Sequence, residues 1–186
     1  MYVNLGTLLP RHAQYRPEHT AVVFEEDRYT YKEFNERVNR IANVLVGLGL
    51  KKGDKLATIL PNCLEQLELY WAVAKTGIVI VPLSPMLRGA GLSRLLNDSD
   101  AVMVITNEGF VKHLEKVRHA LVNVGNGRFA LIDSADVDGY AYYHDLTASA
   151  SADEPPAVEI NGDDPYNIIY SSGTTGLPKG IVHTHA

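Results

Sequence analysis

The sequence predicts an α/β fold: a mostly parallel sheet with helices on both faces. Two observations carry that expectation. Short apolar runs alternate with stretches of helical period along the 186 residues, the rhythm of strand–helix–strand units. The run Ile78-Val-Ile-Val81 is continuously apolar and β-branched, as expected of a strand covered on both faces.

The elements follow in order. Residues 21–25 and 28–31 predict a hairpin around Glu26-Asp27. Thr30-Tyr-Lys-Glu33 is a capping box, with a hydroxyl and a carboxylate placed to satisfy each other's backbone N–H. It opens a helix in which Phe34, Val38, Ile41, Leu45 and Leu48 recur at spacings of four, three, four and three, one buried face. The turn Lys51-Lys-Gly-Asp54 hands over to a strand at 55–60. Asn62-Cys-Leu-Glu65 is expected to cap the next helix, which carries Leu67, Tyr70, Trp71 and Ala74 and stops at Gly77. Strands are also expected at 78–81, 101–105 and 129–132.

A helix bearing Phe110, Leu114, Val117 and Leu121 separates the last two strands. Within 87–97, Gly89 and Gly91 lower helix propensity, but Leu92, Leu95 and Leu96 form an apolar stripe, so a short helix is expected there. Residues 145–165 are dominated by Ala, Ser, Thr, Asp, Glu and Pro, with a turn at Asn161-Gly-Asp-Asp-Pro165, and read as a surface connection. Residues 166–186 read as a strand followed by a phosphate-binding loop. The whole span 1–186 is expected to form one subdomain.

Composition narrows the class of function. With 46% hydrophobic residues, the chain has enough material for one domain with a real core. A net charge of −5 with scattered lysines and arginines disfavours nucleic acid as the main partner. The single cysteine, Cys63, excludes an internal disulfide and fits a reducing compartment. It lies near a helix start, but without a base in its sequence context it reads as a structural thiol. The amino terminus has no basic start or small-residue cleavage site, so no signal peptide is expected. No apolar run approaches the ~20 residues of a membrane helix. A cytoplasmic protein is expected, with peripheral membrane contact left open.

Three further groups have ordinary readings. Tyr140, Tyr142 and Tyr143 anchor a loop, and Asp163-Asp164 form a turn before a strand. His183 and His185 lack a Cys or His partner at zinc-like spacing, so no metal site is assigned.

The most informative segment runs from Tyr170 to Ala186. Between Ser171 and Gly180 stand four hydroxyl side chains, three glycines and one lysine, with almost nothing to pack in a core. Gly173, Gly176 and Gly180 can take positive φ, letting backbone N–H groups turn inward as an anion-binding concavity. Ser171, Ser172, Thr174 and Thr175 add rotatable donors. Pro178 stiffens the turn before Lys179 by fixing its own φ and restricting the preceding residue. A rigid, donor-rich loop ending in a lysine suits a polyphosphate. A Walker A loop would need Gly before the lysine and Ser or Thr after it, whereas here the neighbours are Pro178 and Gly180.

This segment resembles the signature loop of the adenylate-forming superfamily, which includes acyl-CoA synthetases, luciferases and nonribosomal peptide adenylation domains. The family pattern Tyr-Thr-Ser-Gly-Thr-Thr-Gly-x-Pro-Lys-Gly, followed by Thr-His, matches from Tyr170 to His185 with one departure: Ser171 replaces Thr and keeps the hydroxyl. Upstream, Tyr29-Thr-Tyr-Lys-Glu-Phe34 is similar to the family's Leu-Thr-Tyr-x-Glu-Leu element. Thr76-Gly-Ile-Val-Ile-Val-Pro-Leu-Ser-Pro85 resembles its Ala-Gly-x-x-x-x-Pro-Leu strand.

The resemblance implies the truncated N-terminal portion of the adenylate-forming fold, from an ATP-dependent acyl-CoA ligase acting on a carboxylic acid, fatty by preference. It implies ATP, Mg²⁺ and coenzyme A as cofactors and substrates. The nucleotide-binding residues it implies are Ser171, Ser172, Gly173, Thr174, Thr175, Gly176, Pro178, Lys179, Gly180 and His185, with Lys179 catalytic and Thr184-His185 opening a helix beside the nucleotide. The isolated piece is expected to be inactive and to self-associate through incompletely covered surface. Two alternatives stay open: an adenylation domain loading a carrier protein, and a non-catalytic nucleotide-binding module.

Overall fold

The structure is a computed structural model, and it describes residues 4–171 and 178–186. The amino terminus forms a 3-10 turn, Leu5–Thr7, that runs into helix α1, Leu8–Tyr15. Strands β1, Thr20–Phe24, and β2, Asp27–Thr30, pair antiparallel as a separate hairpin. Its turn is Glu25-Glu26, one residue earlier than expected, because Asp27 pairs with Phe24 and Glu25 takes the positive φ of 52°.

Helix α2, Tyr31–Gly47, starts on the expected capping box: the Thr30 hydroxyl accepts from the Glu33 amide and the Glu33 carboxylate accepts from the Thr30 amide. Phe34, Val38, Ile41 and Leu45 are buried along one face, and Leu48 packs beside them at the helix end. Strand β3, Lys55–Ile59, leads to helix α3, Leu64–Thr76. The expected cap at Asn62 is not made. The N-cap is Cys63, in extended conformation and without a side-chain capping bond. Helix α3 does stop at Gly77, whose φ of 71° is the left-handed geometry that favours glycine.

Strand β4, Val79–Pro82, is followed by α4, Gly89–Asp98, then β5, Ala101–Thr106, α5, Glu108–Arg118, and β6, Phe129–Leu131. The two-residue β7, Ala141–Tyr142, and helix α6, Tyr143–Ala148, had no periodic signature long enough to announce them. The stretch 145–165 therefore begins inside a helix rather than in a connection. Its remainder crosses to β8, Pro165–Ser171, which pairs antiparallel with β9, Lys179–Thr184.

The main sheet has seven strands in the order β7-β6-β5-β3-β4-β8-β9, parallel except for the β8–β9 pair. The chain moves one way from β3 to β4 and back past β3 to reach β5 and β6. With crossovers of one hand, that reversal puts α3 on one face and α4 and α5 on the other. Residues in the strands alternate between the two resulting cores. Leu56, Ile80 and Met103 face the α1–α2–α3 side, and Ala57, Val81 and Val104 face the α4–α5 side.

Two buried charges lie in α3. Glu68 accepts from Arg37 Nε and from the Tyr143 hydroxyl, at 2.6 Å for the latter. Lys75 Nζ donates to Asn35 Oδ1, Asn39 Oδ1 and Glu154 Oε2 at 2.7, 2.6 and 2.7 Å. On α3, Tyr70, Trp71 and Ala74 pack on the core as expected, whereas Leu67 is exposed and Glu68, Leu69, Ala72 and Lys75 are buried beside them. Hydrophobicity found part of the core-facing surface and missed the part that the partnered charges Glu68 and Lys75 occupy.

Candidate functional site

The segment singled out in the sequence is carried on the β8–β9 hairpin. Ser171 pairs with Lys179, Tyr170 with Gly180, Ile169 with Ile181 and Asn167 with His183. Strand β8 is parallel to β4 through the pair Ile80–Asn167, so Ser171, Pro178 and Lys179 lie at the carboxyl edge of the parallel sheet. In open α/β sheets that edge is where ligands bind. Ser172, Gly173, Thr174, Thr175 and Gly176 lie outside the described residues.

Among the residues that are described, Ser171 and Lys179 face each other across the hairpin, both exposed. Pro178 and Ser171 line a cavity of about 220 Å³ with Tyr170 on the hairpin side and Leu83, Leu87 and Leu95 on the α4 side. A larger opening, about 450 Å³, lies elsewhere, between the amino-terminal turn and the segment around Glu154, and is lined by none of the described residues of the phosphate-binding motif.

Gly180 has a different reason for being glycine than the one expected. It is a strand residue outside the positive-φ set, and an added Cβ would stand 3.0 Å from Ile168 Cγ2 and 3.3 Å from the Tyr170 ring. The missing side chain makes room for Tyr170.

His185 stands apart from Lys179. Thr184 pairs with Pro165, so His185 lies at the end of the hairpin opposite Lys179. Residues 185 and 186 follow β9. The His185 ring is buried against Tyr166, and neither ring nitrogen has a hydrogen-bond partner among the described residues. Burial lowers its pKa, with the Asp164 carboxylate opposing that effect. The neighbouring His183 donates from Nδ1 to Asn167 Oδ1 at 2.7 Å, a cross-strand tie at the same end.

The other sequence candidates resolve as structural groups. Burial pushes the Cys63 thiol up to about 11, away from the thiolate a nucleophile needs. Tyr143 anchors its segment through Glu68, and Tyr140 through Glu115 at 2.7 Å. Asp164 accepts from the Asn161 amide and pairs with Lys52 at 2.6 Å, which makes it a turn residue and a surface tie. Among the described residues no three His, Cys, Asp or Glu side chains converge as a metal site.

Sequence reading missed Asp98. Its carboxylate accepts from the Tyr170 hydroxyl at 2.6 Å, 72 residues away in the chain. It missed as well the row Asn35, Asn39 and Asn43 on α2, whose amides donate to Glu154, Ala152, Ser151 and Asp153. The signal for that row was present: three asparagines at four-residue spacing share one helix face.

Comparison with known proteins agrees with the fold. The profile of the family described as "AMP-binding enzyme" matches residues 9–186. The long-chain-fatty-acid–CoA ligase FadD13 of Mycobacterium tuberculosis is 38% identical over 184 residues, 98% of this chain and 35% of that protein. The crotonobetaine/carnitine–CoA ligase of Salmonella enteritidis is 33% identical over 174 residues, 89% of this chain and 33% of that protein. The chain thus spans about a third of the length of these curated relatives.

Among solved structures, the anthranilate CoA ligase AuaEII in complex with anthranoyl-AMP superposes with a TM-score of 0.91 at 26% identity, over 99% of this chain and 35% of that one. The N-terminal domain of FACL13 from Mycobacterium tuberculosis superposes with a TM-score of 0.83 at 36% identity, over 99% of this chain and 45% of that one.

Proposed function

We propose a function from one premise: this chain belongs to the AMP-binding enzyme family. In this reading it is the N-terminal part of an ATP-dependent ligase that joins a carboxylic acid, a fatty acid by preference, to coenzyme A through an acyl-adenylate. The observation that supports the reading is the sequence motif from Tyr170 to His185, of which the described residues Ser171 and Lys179 pair at the carboxyl edge of the sheet. The preference for a fatty acid is supported by the likeness to a long-chain-fatty-acid–CoA ligase.

The roles follow from charge. The substrate carboxylate oxygen attacks the α-phosphorus of ATP, an O–P bond forms, and the bond from that phosphorus to the bridging oxygen of the β-phosphate breaks. The electron pair leaves on pyrophosphate. Lys179, the backbone N–H groups between it and Ser171, and the hydroxyls of Ser171, Ser172, Thr174 and Thr175 hold the β- and γ-phosphates and take up that charge. Hydrogen bonds to a charged phosphate are stronger than neutral ones, so this set matters most as pyrophosphate departs. The thiol of coenzyme A then attacks the acyl carbon and AMP leaves. Magnesium supplies further charge neutralisation when bound, and no step is assigned to it here.

The 186-residue chain alone is proposed to be inactive, since it spans only about a third of its curated relatives. The test is pyrophosphate release by the longer protein containing this sequence, with ATP, Mg²⁺ and a panel of fatty and aromatic acids, followed by mass analysis of the acyl-CoA product. Lys179→Ala is expected to slow adenylate formation by about 100-fold or more, the order seen when a charge-stabilising donor is lost, with an unchanged melting temperature. Normal pyrophosphate release in that variant would remove Lys179 from the mechanism.

A further inference from the structure

Tyr170 stands beside Ser171 at the end of β8, and its ring packs into the core on the α4–α5 side. Its cross-strand partner is Gly180, whose missing Cβ leaves room for the ring, so Tyr170 lies over the backbone of the residue that follows Lys179. The Tyr170 hydroxyl donates to Asp98 Oδ2 at 2.6 Å. Burial, and then the adjoining carboxylate, raise the tyrosine's pKa, so the hydroxyl keeps its proton and remains a donor.

Asp98 is oddly placed by local rules. It is the last residue of α4, where the negative end of the helix dipole disfavours a carboxylate, and the last turn holds no basic residue. No salt bridge reaches it among the described residues. A carboxylate that violates local preference points to a tertiary purpose, and the group that meets it is Tyr170.

We propose that Asp98 is a positioning residue: through Tyr170, seated on Gly180, it fixes the hairpin ends Ser171 and Lys179 relative to α4 and so sets where the Lys179 ammonium stands. The inference rests on the reading of Lys179 as the phosphate-binding cation and extends it to an earlier helix. Helix α4 and the hairpin ends also share the apolar cavity lined by Leu87, Leu95, Tyr170 and Pro178. A displacement of α4 is therefore carried to the residues on either side of the loop.

The first measurement needs no catalysis. Trypsin cleavage after Lys179 requires the end of the hairpin to open, and its rate in the 186-residue chain can be read by mass spectrometry against cleavage after Lys116 in α5. Asp98→Leu and Tyr170→Phe are expected to raise the Lys179 rate about tenfold, as for loss of one hydrogen bond to a charged acceptor, with the Lys116 rate unchanged. Asp98→Asn keeps an acceptor oxygen and is expected to stay within about twofold of the parent chain. No rise at Lys179, or an equal rise at Lys116, overturns the proposal.

The second measurement uses the longer ligase. Asp98→Leu is expected to raise the KM for ATP about tenfold, the same hydrogen-bond loss, while the KM for the acid is unchanged and Asp98→Asn restores the ATP value. Faster cleavage with unaltered ATP kinetics also overturns the positioning role. A parent ligase that releases no pyrophosphate removes the functional reading instead, and the cleavage rates still decide whether Asp98 holds the hairpin.

Discussion

At the scale of single residues, the most consequential group outside the loop is Lys75. Its side chain is 3% exposed and meets three oxygens, from Asn35, Asn39 and Glu154. Burial alone depresses its pKa, and the hydrogen bond and charge of Glu154 oppose that shift. Replacement by methionine keeps the aliphatic stem but leaves two amide oxygens and a carboxylate without their donor. Lys75→Met is expected to lower the urea unfolding free energy by about 2–3 kcal/mol, the cost of unsatisfied partners moderated by solvent at the half-exposed Glu154.

The same cluster has a pH signature. Burial tends to raise the Glu154 pKa, but hydrogen bonds from Asn35 and Lys75 outweigh it and hold the carboxyl below its ordinary value. A depressed folded pKa contributes stability that is fully present above the unfolded value, about 4.3, and is lost as pH falls through the lower folded value. Glu154→Gln should therefore flatten the acid side of the stability curve below about pH 4.3. An unchanged acid limb would mean that the network carries no linkage.

At the scale of elements, the β8–β9 hairpin depends on a packing relation between opposite residues. Gly180→Ala places a methyl 3.0 Å from Ile168 and 3.3 Å from Tyr170, with Ile168 and Tyr170 both part of the core packing on that face. The expected cost is about 1–3 kcal/mol, as for overpacking, measured by urea denaturation and accompanied by a change in tyrosine fluorescence. The contrast with the rest of the fold explains what could be read in advance. The capping box at Thr30 and Glu33, the stop at Gly77 and the stripe Phe34–Val38–Ile41–Leu45 are local patterns, visible because the cause lies within one or two helical turns. The phosphate-binding segment was legible for the same reason, its chemistry being written in consecutive residues.

Relations across the chain were not legible. Nothing near Asp98 announces Tyr170, and Glu68 and Lys75 look like solvent-facing charges until Tyr143 and Glu154 arrive from later segments. The separation of His185 from Lys179 was hidden too, because adjacency to the motif in sequence became the opposite end of a hairpin in space.

At the scale of the whole molecule, the sheet is unevenly finished. Strand β7 at one edge is two residues long, whereas the other edge is the six-residue β9. Short edge strands resist further pairing, and longer apolar ones invite it. On β9, Ile181 and Val182 are 48% and 53% exposed, and Ile169, opposite Ile181, is 40% exposed. Both faces of the hairpin thus show apolar side chains beside an unpaired backbone edge, and the net charge of −5 opposes association only at long range. The 186-residue chain is expected to self-associate as concentration rises, with the mean mass in sedimentation equilibrium exceeding that of one chain. The double variant Ile181→Lys, Val182→Lys should shift that equilibrium toward monomer, since it adds desolvation cost on both faces while leaving the ladder intact. A parent chain that stays monomeric at high concentration would show that the exposed hairpin is tolerated in water. A variant that associates as strongly as the parent would place the contact on another surface.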